Sequence, residues 1–221
     1  MVMRTGIVFE IEDTLFDMHA MRVEALHRAM ATEGLPAECD AVSRAHRGVP
    51  AGLALHRLAE GCSMDDTARE LILLRTNDDL RTSLDLRLPS FDVRVRDAML
   101  TLASDFPLAV VTRATRGLAQ QLLSVCDLDA VVSTIRSISG VPAPVFVEDG
   151  AVQWAEAAAA LHADRCVAIA RVEMLEAARR AGLRTVAVTG SAVAADTDAH
   201  HADAMVVSFA DLNASFIAAL P

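Results

Sequence analysis

Lysine and tyrosine are both absent from this chain of 221 residues. Each of the 20 basic residues is therefore an arginine. A guanidinium stays protonated at all ordinary pH values, so it cannot replace a lysine amine as a nucleophile or a proton carrier. The absence excludes every mechanism that depends on a lysine amine.

Cysteine is sparse, and its four positions are widely separated. Cys39, Cys62, Cys126 and Cys166 form no C-x-x-C pair, so we interpret them as reduced thiols of a cytoplasmic protein. The first residues, MVMRTGIVFEIEDT, become acidic too early for a signal peptide. No apolar stretch is long and charge-free enough to span a bilayer, and we expect no membrane partner.

The chain is acidic, with a formal net charge of −10 and a pI of about 5.1. An acidic surface argues against binding to nucleic acid or to anionic membranes. Hydrophobic residues make up 53% and charged residues 23%, a balance that favours a packed core over disorder. The length suits one α/β domain, or one such domain with a small insertion.

Short apolar runs alternate with helical patterns along most of the chain, which predicts an α/β fold with a doubly wound, Rossmann-like parallel sheet. The predicted strands are 6–9, 108–111, 130–133, 166–170, 185–188 and 204–208. Between the first two strands the pattern is entirely helical, which predicts an inserted α-helical cap. We therefore expect a core of residues 1–16 and 89–221 and a cap of residues 17–88.

Residues 145–154 show a different pattern. Two apolar stretches flank Asp149-Gly150, a pair that is typical of a tight turn between antiparallel strands. The pattern predicts a β-hairpin. An exposed ribbon of this kind is a candidate contact for a protein partner, although packing against its own domain is the alternative.

Two carboxylates follow the first predicted strand, at the edge of the sheet where ligands of such folds bind. Glu10 and Glu12 are two residues apart, so both can point into one cleft. They can bind Mg²⁺ or act as nucleophile and general acid. The alternative is that both are solvated carboxylates on a loop. Thr112 and Arg113 follow the second strand of the core and belong to the same edge.

Several segments resemble the motifs of the haloacid dehalogenase superfamily, in the order and spacing of that family. The segment GIVFEIEDTLFD resembles its first motif, D-x-D-G-T-L-x-D after an apolar strand. The segments LAVVTRAT, GVPAPVF and CVAIARVEMLEAARRAGLRTVAV are similar to the second, third and fourth motifs. The helical stretch of residues 46–78 resembles the caps of the beta-phosphoglucomutase and phosphoglycolate phosphatase-like branch. The resemblance implies a core with a helical cap and, in its usual form, Mg²⁺-dependent phosphoryl transfer.

The first motif departs from the family at three positions. The resemblance assigns the nucleophile and the acid/base to two aspartates, and Glu10 and Glu12 stand there. Each glutamate moves its carboxylate by about one C–C bond, roughly 1.5 Å. Misplacement of about 1 Å can lower a rate on the order of 10²-fold. Asp13 replaces the glycine of the motif and adds negative charge where a phosphate would approach.

The third and fourth motifs also lack their charged residues. Val141 stands at the lysine position of the third motif, and an arginine is the only available replacement. Arg113, Arg136 and Arg171 are the candidates. The fourth motif usually supplies acids that hold Mg²⁺, but here its strand ends in Ala170 and Arg171. A guanidinium there can pair with Glu10 or Glu12 and replace the charge of a metal.

Two further residues complete the candidate site. The resemblance implies that Thr112 holds a phosphate oxygen, and the alternative is a strand-end threonine bonded to nearby backbone. Arg47 in the cap can contact a substrate, or it is a solvated surface arginine. Because the charged residues of three motifs are changed, we expect a catalytically inactive or impaired protein that acts as a binding or regulatory subunit. The alternative is a Mg²⁺-dependent phosphoric monoester hydrolase for a small phosphorylated metabolite.

Overall fold

The sheet is built around the first strand of the chain. The computed structural model describes residues 3–12, 14–35, 38–46, 51–59, 64–86, 90–91, 93–138, 146–189 and 202–220. The strands are β1 (Thr5–Glu10), β2 (Phe16–Asp17), β3 (Ser90–Phe91), β4 (Leu108–Thr112), β5 (Val132–Ser137), β6 (Arg165–Ala170), β7 (Arg184–Val188) and β8 (Ala204–Val206). The helices are α1 (His19–Thr32), α2 (Cys39–His46), α3 (Ala51–Ala59), α4 (Asp66–Leu86), α5 (Val93–Ala103), α6 (Arg116–Val125), α7 (Phe146–Ala159), α8 (Val172–Arg180) and α9 (Ala214–Ala219).

Six strands form one parallel sheet in the order β5-β4-β1-β6-β7-β8, as the alternating pattern predicted. Every residue of β1 and of β4 is buried, because helices cover both faces of the sheet. Along β1, Ile7 and Phe9 point into one hydrophobic cluster and Val8 into the other. This alternation with period two places the core on both sides of the strand.

The helical insertion leaves and re-enters the sheet domain at a small antiparallel ladder. Strand β2 precedes α1 and β3 follows α4, and Phe16 pairs with Phe91 in the register of this ladder. Their rings lie 5.9 Å apart. The described helices between the two strands, α1 to α4, pack against one another, with α1 in contact with both α2 and α4. The ladder therefore brings together the two points at which the chain crosses between the sheet and the insertion.

The predicted hairpin at residues 145–154 is wrong, because the described part of this segment, from Phe146 onward, belongs to helix α7. The chain must cross from β5 to β6 over two intervening strands, and α7 covers that face in contact with β5, β4 and β1. Trp154 and Ala157 are fully buried one helical turn apart. Burial of these two side chains outweighs the local preference of Asp149-Gly150 for a turn. The helix also removes the basis for treating this segment as an exposed partner-binding ribbon.

Two glycines end helices with a left-handed backbone. Gly34 follows α1 with φ of +74°, and Gly182 follows α8 with φ of +80°. Glycine adopts this conformation without the steric cost that a Cβ atom imposes. Among the described residues, no helix is long and apolar enough to cross a membrane.

Candidate active site

The carboxylates that follow β1 lie at the reversal point of the sheet. The chain runs from β1 to β4 and β5 on one side, then to β6, β7 and β8 on the other. Ligands of doubly wound folds bind beside the carboxyl ends of the strands at such a point. Glu10 is the last residue of β1, and Glu12 follows after Ile11. The sequence thus places both carboxylates at the edge where a binding cleft is expected.

Glu12 is held by the end of the neighbouring strand β4. Its Oε1 atom accepts hydrogen bonds from the Thr112 hydroxyl and from the backbone N–H of Ala114, the latter at 2.9 Å. Its Oε2 atom accepts the backbone N–H of Arg113 at 3.0 Å. The turn between β4 and α6 therefore points two backbone N–H groups and one hydroxyl at a single carboxylate. These donors engage both oxygens of the Glu12 carboxylate.

Glu10 is paired with the side chain of Arg113. The Nη2 and Nε atoms of the guanidinium lie 2.7 Å and 3.0 Å from Oε1 of Glu10. The same Nη2 atom donates to the backbone carbonyl of Glu12 at 3.1 Å. The hydroxyl of Thr14 donates to Oε2 of Glu10 at 2.6 Å. Arg113 therefore connects both glutamates, through its side chain to one and its backbone to the other.

The whole cluster is buried. Glu10, Glu12 and Thr112 have no exposed surface, and Arg113 is 5% exposed. The interpretation of the glutamates as solvated loop residues is therefore wrong. Two carboxylates and one guanidinium leave a formal charge of −1, and buried charges persist only where partners and hydrogen bonds compensate for lost hydration. The protein's own donors provide that compensation here.

The other arginines predicted for the site have different surroundings. Arg136 on β5 binds Glu156 of α7, with Nε 3.1 Å from Oε2, and donates to the Thr134 hydroxyl at 2.7 Å. Arg171 is the residue before α8, directly after the buried end of β6 at Ala170, and is partly exposed. The sequence offers Arg171 as a partner of Glu10, and in the structure the guanidinium of Arg113 contacts that glutamate.

Three predicted positions, Asp13, Arg47 and Val141, lie outside the described residues. Two partners in the cluster were not predicted. Thr14 and the backbone N–H of Ala114 both contact the glutamates. The contact of Thr14 could have been predicted from the sequence, because Thr14 follows Glu10 by four residues in the same motif. The contact of a backbone N–H could not, since its direction depends on the conformation of the turn.

These residues do not fit Mg²⁺ as they stand. Magnesium needs oxygen lone pairs that face it in a nearly octahedral arrangement. Oε1 of Glu10 and Oε1 of Glu12 each accept two hydrogen bonds, and both Oε2 atoms accept at least one. The guanidinium of Arg113 already supplies the positive charge. Within the described ranges, no group of three or more His, Cys, Asp or Glu side chains is placed to hold a metal ion.

No protein-family model matches this sequence, and no curated protein matches it either. Solved structures do match its fold. A hydrolase from Pseudomonas syringae has a TM-score of 0.76 at 19% identity, covering 95% of this chain and 96% of that chain. The beta-phosphoglucomutase of Clostridium difficile has a TM-score of 0.76 at 13% identity, covering 98% and 96%. A haloacid dehalogenase-like hydrolase from Streptococcus pneumoniae has a TM-score of 0.69 at 17% identity, covering 96% and 98%.

The chain therefore has a haloacid dehalogenase-like α/β fold with an inserted helical cap, which confirms the fold that the motif resemblance implies. Its structural neighbours include hydrolases and a beta-phosphoglucomutase. Identities below 25% establish the fold and leave the activity to be argued from the site.

Proposed function

We propose that this protein does not catalyse Mg²⁺-dependent phosphoryl transfer and acts as a binding or regulatory subunit. Its partner is then a small phosphorylated metabolite or another protein. The proposal includes the division into a core of residues 1–16 and 89–221 and a cap of residues 17–88. The antiparallel pairing of β2 and β3, where the chain passes between the two parts, supports that division.

One observation carries the proposal: the carboxylate of Glu10 is engaged by Arg113 and Thr14 and has no exposed surface. A carboxylate nucleophile must present an oxygen lone pair to the reacting phosphorus. A guanidinium bonded through two nitrogens lowers the nucleophilicity of the oxygen that it binds. The complete absence of lysine supports the same conclusion, because no amine is available to neutralise a bound phosphate.

The alternative is a hydrolase for a small phosphorylated metabolite, with Glu10 as nucleophile and an arginine in place of the lysine. The names of the structural neighbours favour that alternative, since they include hydrolases and a beta-phosphoglucomutase. For this hydrolase, the contact between Arg113 and Glu10 would have to open before the reaction. The two functions therefore make opposite predictions for the purified protein.

The test is turnover by the purified protein with millimolar Mg²⁺, a chromogenic aryl phosphate and a panel of sugar and carboxylic acid phosphates. We expect no phosphate release above that of a Glu10→Gln variant, which serves as the matched control for contaminating phosphatases. We also expect Mg²⁺ to leave the melting temperature unchanged, because a bound ligand would raise it. Turnover that disappears in Glu10→Gln would refute the proposal and support the hydrolase.

A further inference from the structure

We infer that the carboxylate of Glu12 acts as an intramolecular ligand: it fills an oxyanion-binding turn after β4 and keeps external oxyanions out of that turn. The inference rests on the proposed function and deepens it, because it names the group that blocks a phosphorylated metabolite at this edge of the sheet. It depends on the contacts of Glu12 and not on the ion pair between Glu10 and Arg113.

The donors of the turn are the first step. The successive backbone N–H groups of Arg113 and Ala114 donate to the Glu12 carboxylate at 3.0 Å and 2.9 Å, and the Thr112 hydroxyl donates to it as well. Successive backbone N–H groups in a turn form an anion-binding concavity. These donors recognise negatively charged oxygens, which acetate and phosphate also present. Because the Glu12 carboxylate has no exposed surface, a dissolved oxyanion can enter the turn only if this side chain leaves.

The support of the turn by strand β5 is the second step. Thr112 is paired with Ser137 in the register of β4 and β5. The backbone N–H of Ile138 donates to the carbonyl of Thr112 at 2.9 Å. The Ser137 hydroxyl donates to the carbonyl of Ala114 at 2.6 Å, on the other side of the turn. These contacts do not involve Glu12, so the donors should stay in position when its side chain is removed.

The length of the Glu12 side chain is the third step. The backbone beside it is tied to the sheet, since the N–H of Ile11 donates to the carbonyl of Val111 at 3.3 Å. An aspartate, which the motif resemblance places at this position, would be shorter by about one C–C bond, roughly 1.5 Å. Its carboxylate would then leave at least one of the two backbone donors beyond hydrogen-bond distance. The longer glutamate reaches both donors, which makes it suitable as the ligand of the turn.

The experiment compares melting temperatures of the wild type and Glu12→Ala in millimolar sodium acetate or sodium phosphate against NaCl of equal ionic strength. In NaCl we expect Glu12→Ala to melt roughly 10 °C below the wild type, because three donors lose their acceptor. Either oxyanion should raise the melting temperature of the variant saturably, while the wild type does not respond because its turn is filled. Glu70→Ala is the matched control, because it removes an exposed glutamate of α4, and it should not respond.

The double variant Glu12→Ala/Thr112→Val shows whether the oxyanion binds at this turn. It lacks one of the three donors, so the anion concentration that gives half of the stabilisation should rise about tenfold. A double variant that responds as strongly as Glu12→Ala would overturn the inference, as would a Glu12→Ala protein that folds but does not respond to either oxyanion.

Refolding from urea decides the case in which Glu12→Ala does not fold in NaCl. Recovery of the native emission of the buried Trp154 in phosphate would support the inference, and failure to recover it in phosphate would overturn the inference. Turnover of phosphate esters by the wild type would overturn the proposed function instead, whatever the behaviour of Glu12→Ala.

Discussion

Replacement of Glu12 by glutamine tests which effect on stability is larger at the buried site of Glu10, Glu12 and Arg113. One is the gain from the hydrogen bonds to the Glu12 carboxylate, and the other is the cost of repulsion between the two carboxylates. The substitution keeps the shape of the side chain and removes one negative charge. A glutamine offers one oxygen and one NH₂ group, whereas the carboxylate accepts backbone N–H groups at both oxygens, from Arg113 and from Ala114. In either orientation of the amide, its NH₂ group faces one of these two backbone donors.

The magnitude follows from these contacts. A buried N–H group left without an acceptor costs about 1–3 kcal/mol. The bonds that remain become neutral rather than charge-assisted, at about 1 kcal/mol each. Relief of repulsion between Glu12 and Glu10 acts in the opposite direction, but Arg113 already reduces the charge of the cluster to −1. We therefore expect Glu12→Gln to lower the free energy of unfolding by about 2–4 kcal/mol.

Urea unfolding monitored by tryptophan fluorescence measures this change. Trp154 is the only tryptophan and is fully buried in the sheet domain, so its emission reports the unfolding of the core. The slope with urea should stay constant while the midpoint falls. Glu156→Gln is the control, since Glu156 is about half exposed and pairs with Arg136 on the surface. It should change stability by less than about 1 kcal/mol. A Glu12→Gln protein as stable as the wild type, or more stable, would refute the reasoning.

Two further predictions concern the sheet and its helices. Gly150→Ala should raise the free energy of unfolding by about 0.5–1 kcal/mol in thermal unfolding, because alanine is more favourable than glycine inside a helix. The added Cβ atom has room, since it would lie 3.6 Å from Ala177, an ordinary contact distance. A loss of stability would instead indicate that residue 150 lies in a turn. Gly182→Ala is its control and should lower stability, because its φ is +80°. Burial alone would raise the pKa of the Asp203 carboxyl, but the backbone N–H and hydroxyl of Thr185 hold that pKa below its ordinary value. The pKa of Asp203 is thus lower in the folded state than in the unfolded state. Asp203→Asn should therefore lower the free energy of unfolding by about 1 kcal/mol at pH 7. The difference in stability between the variant and the wild type should disappear as the pH falls through about 4 and below. An equal cost at pH 3 would contradict this assignment.

Much of the sheet could be predicted because its strands are short apolar runs between helical patterns. The burial of residues 6–9 in β1 and 108–111 in β4 could be predicted from the sequence, because both segments are short apolar runs. Helix α7 could not be predicted in this way, because Asp149-Gly150 favours a turn locally. Its helix depends on Trp154 and Ala157 packing against strands that are distant in the sequence.

The sequence by itself determined which groups are present at the candidate site. Glu10 and Glu12 follow one predicted strand, and Thr112 and Arg113 follow another. The chain contains no lysine. Only the tertiary structure decided how these groups pair. The register of β1 beside β4 brings Glu10 opposite Val111, one residue before Thr112 and two before Arg113. Residues about a hundred positions apart thus become neighbours. Which of the 20 arginines pairs with Glu10, and where the backbone N–H groups of the turn after β4 point, depend on this packing. No local sequence pattern encodes either.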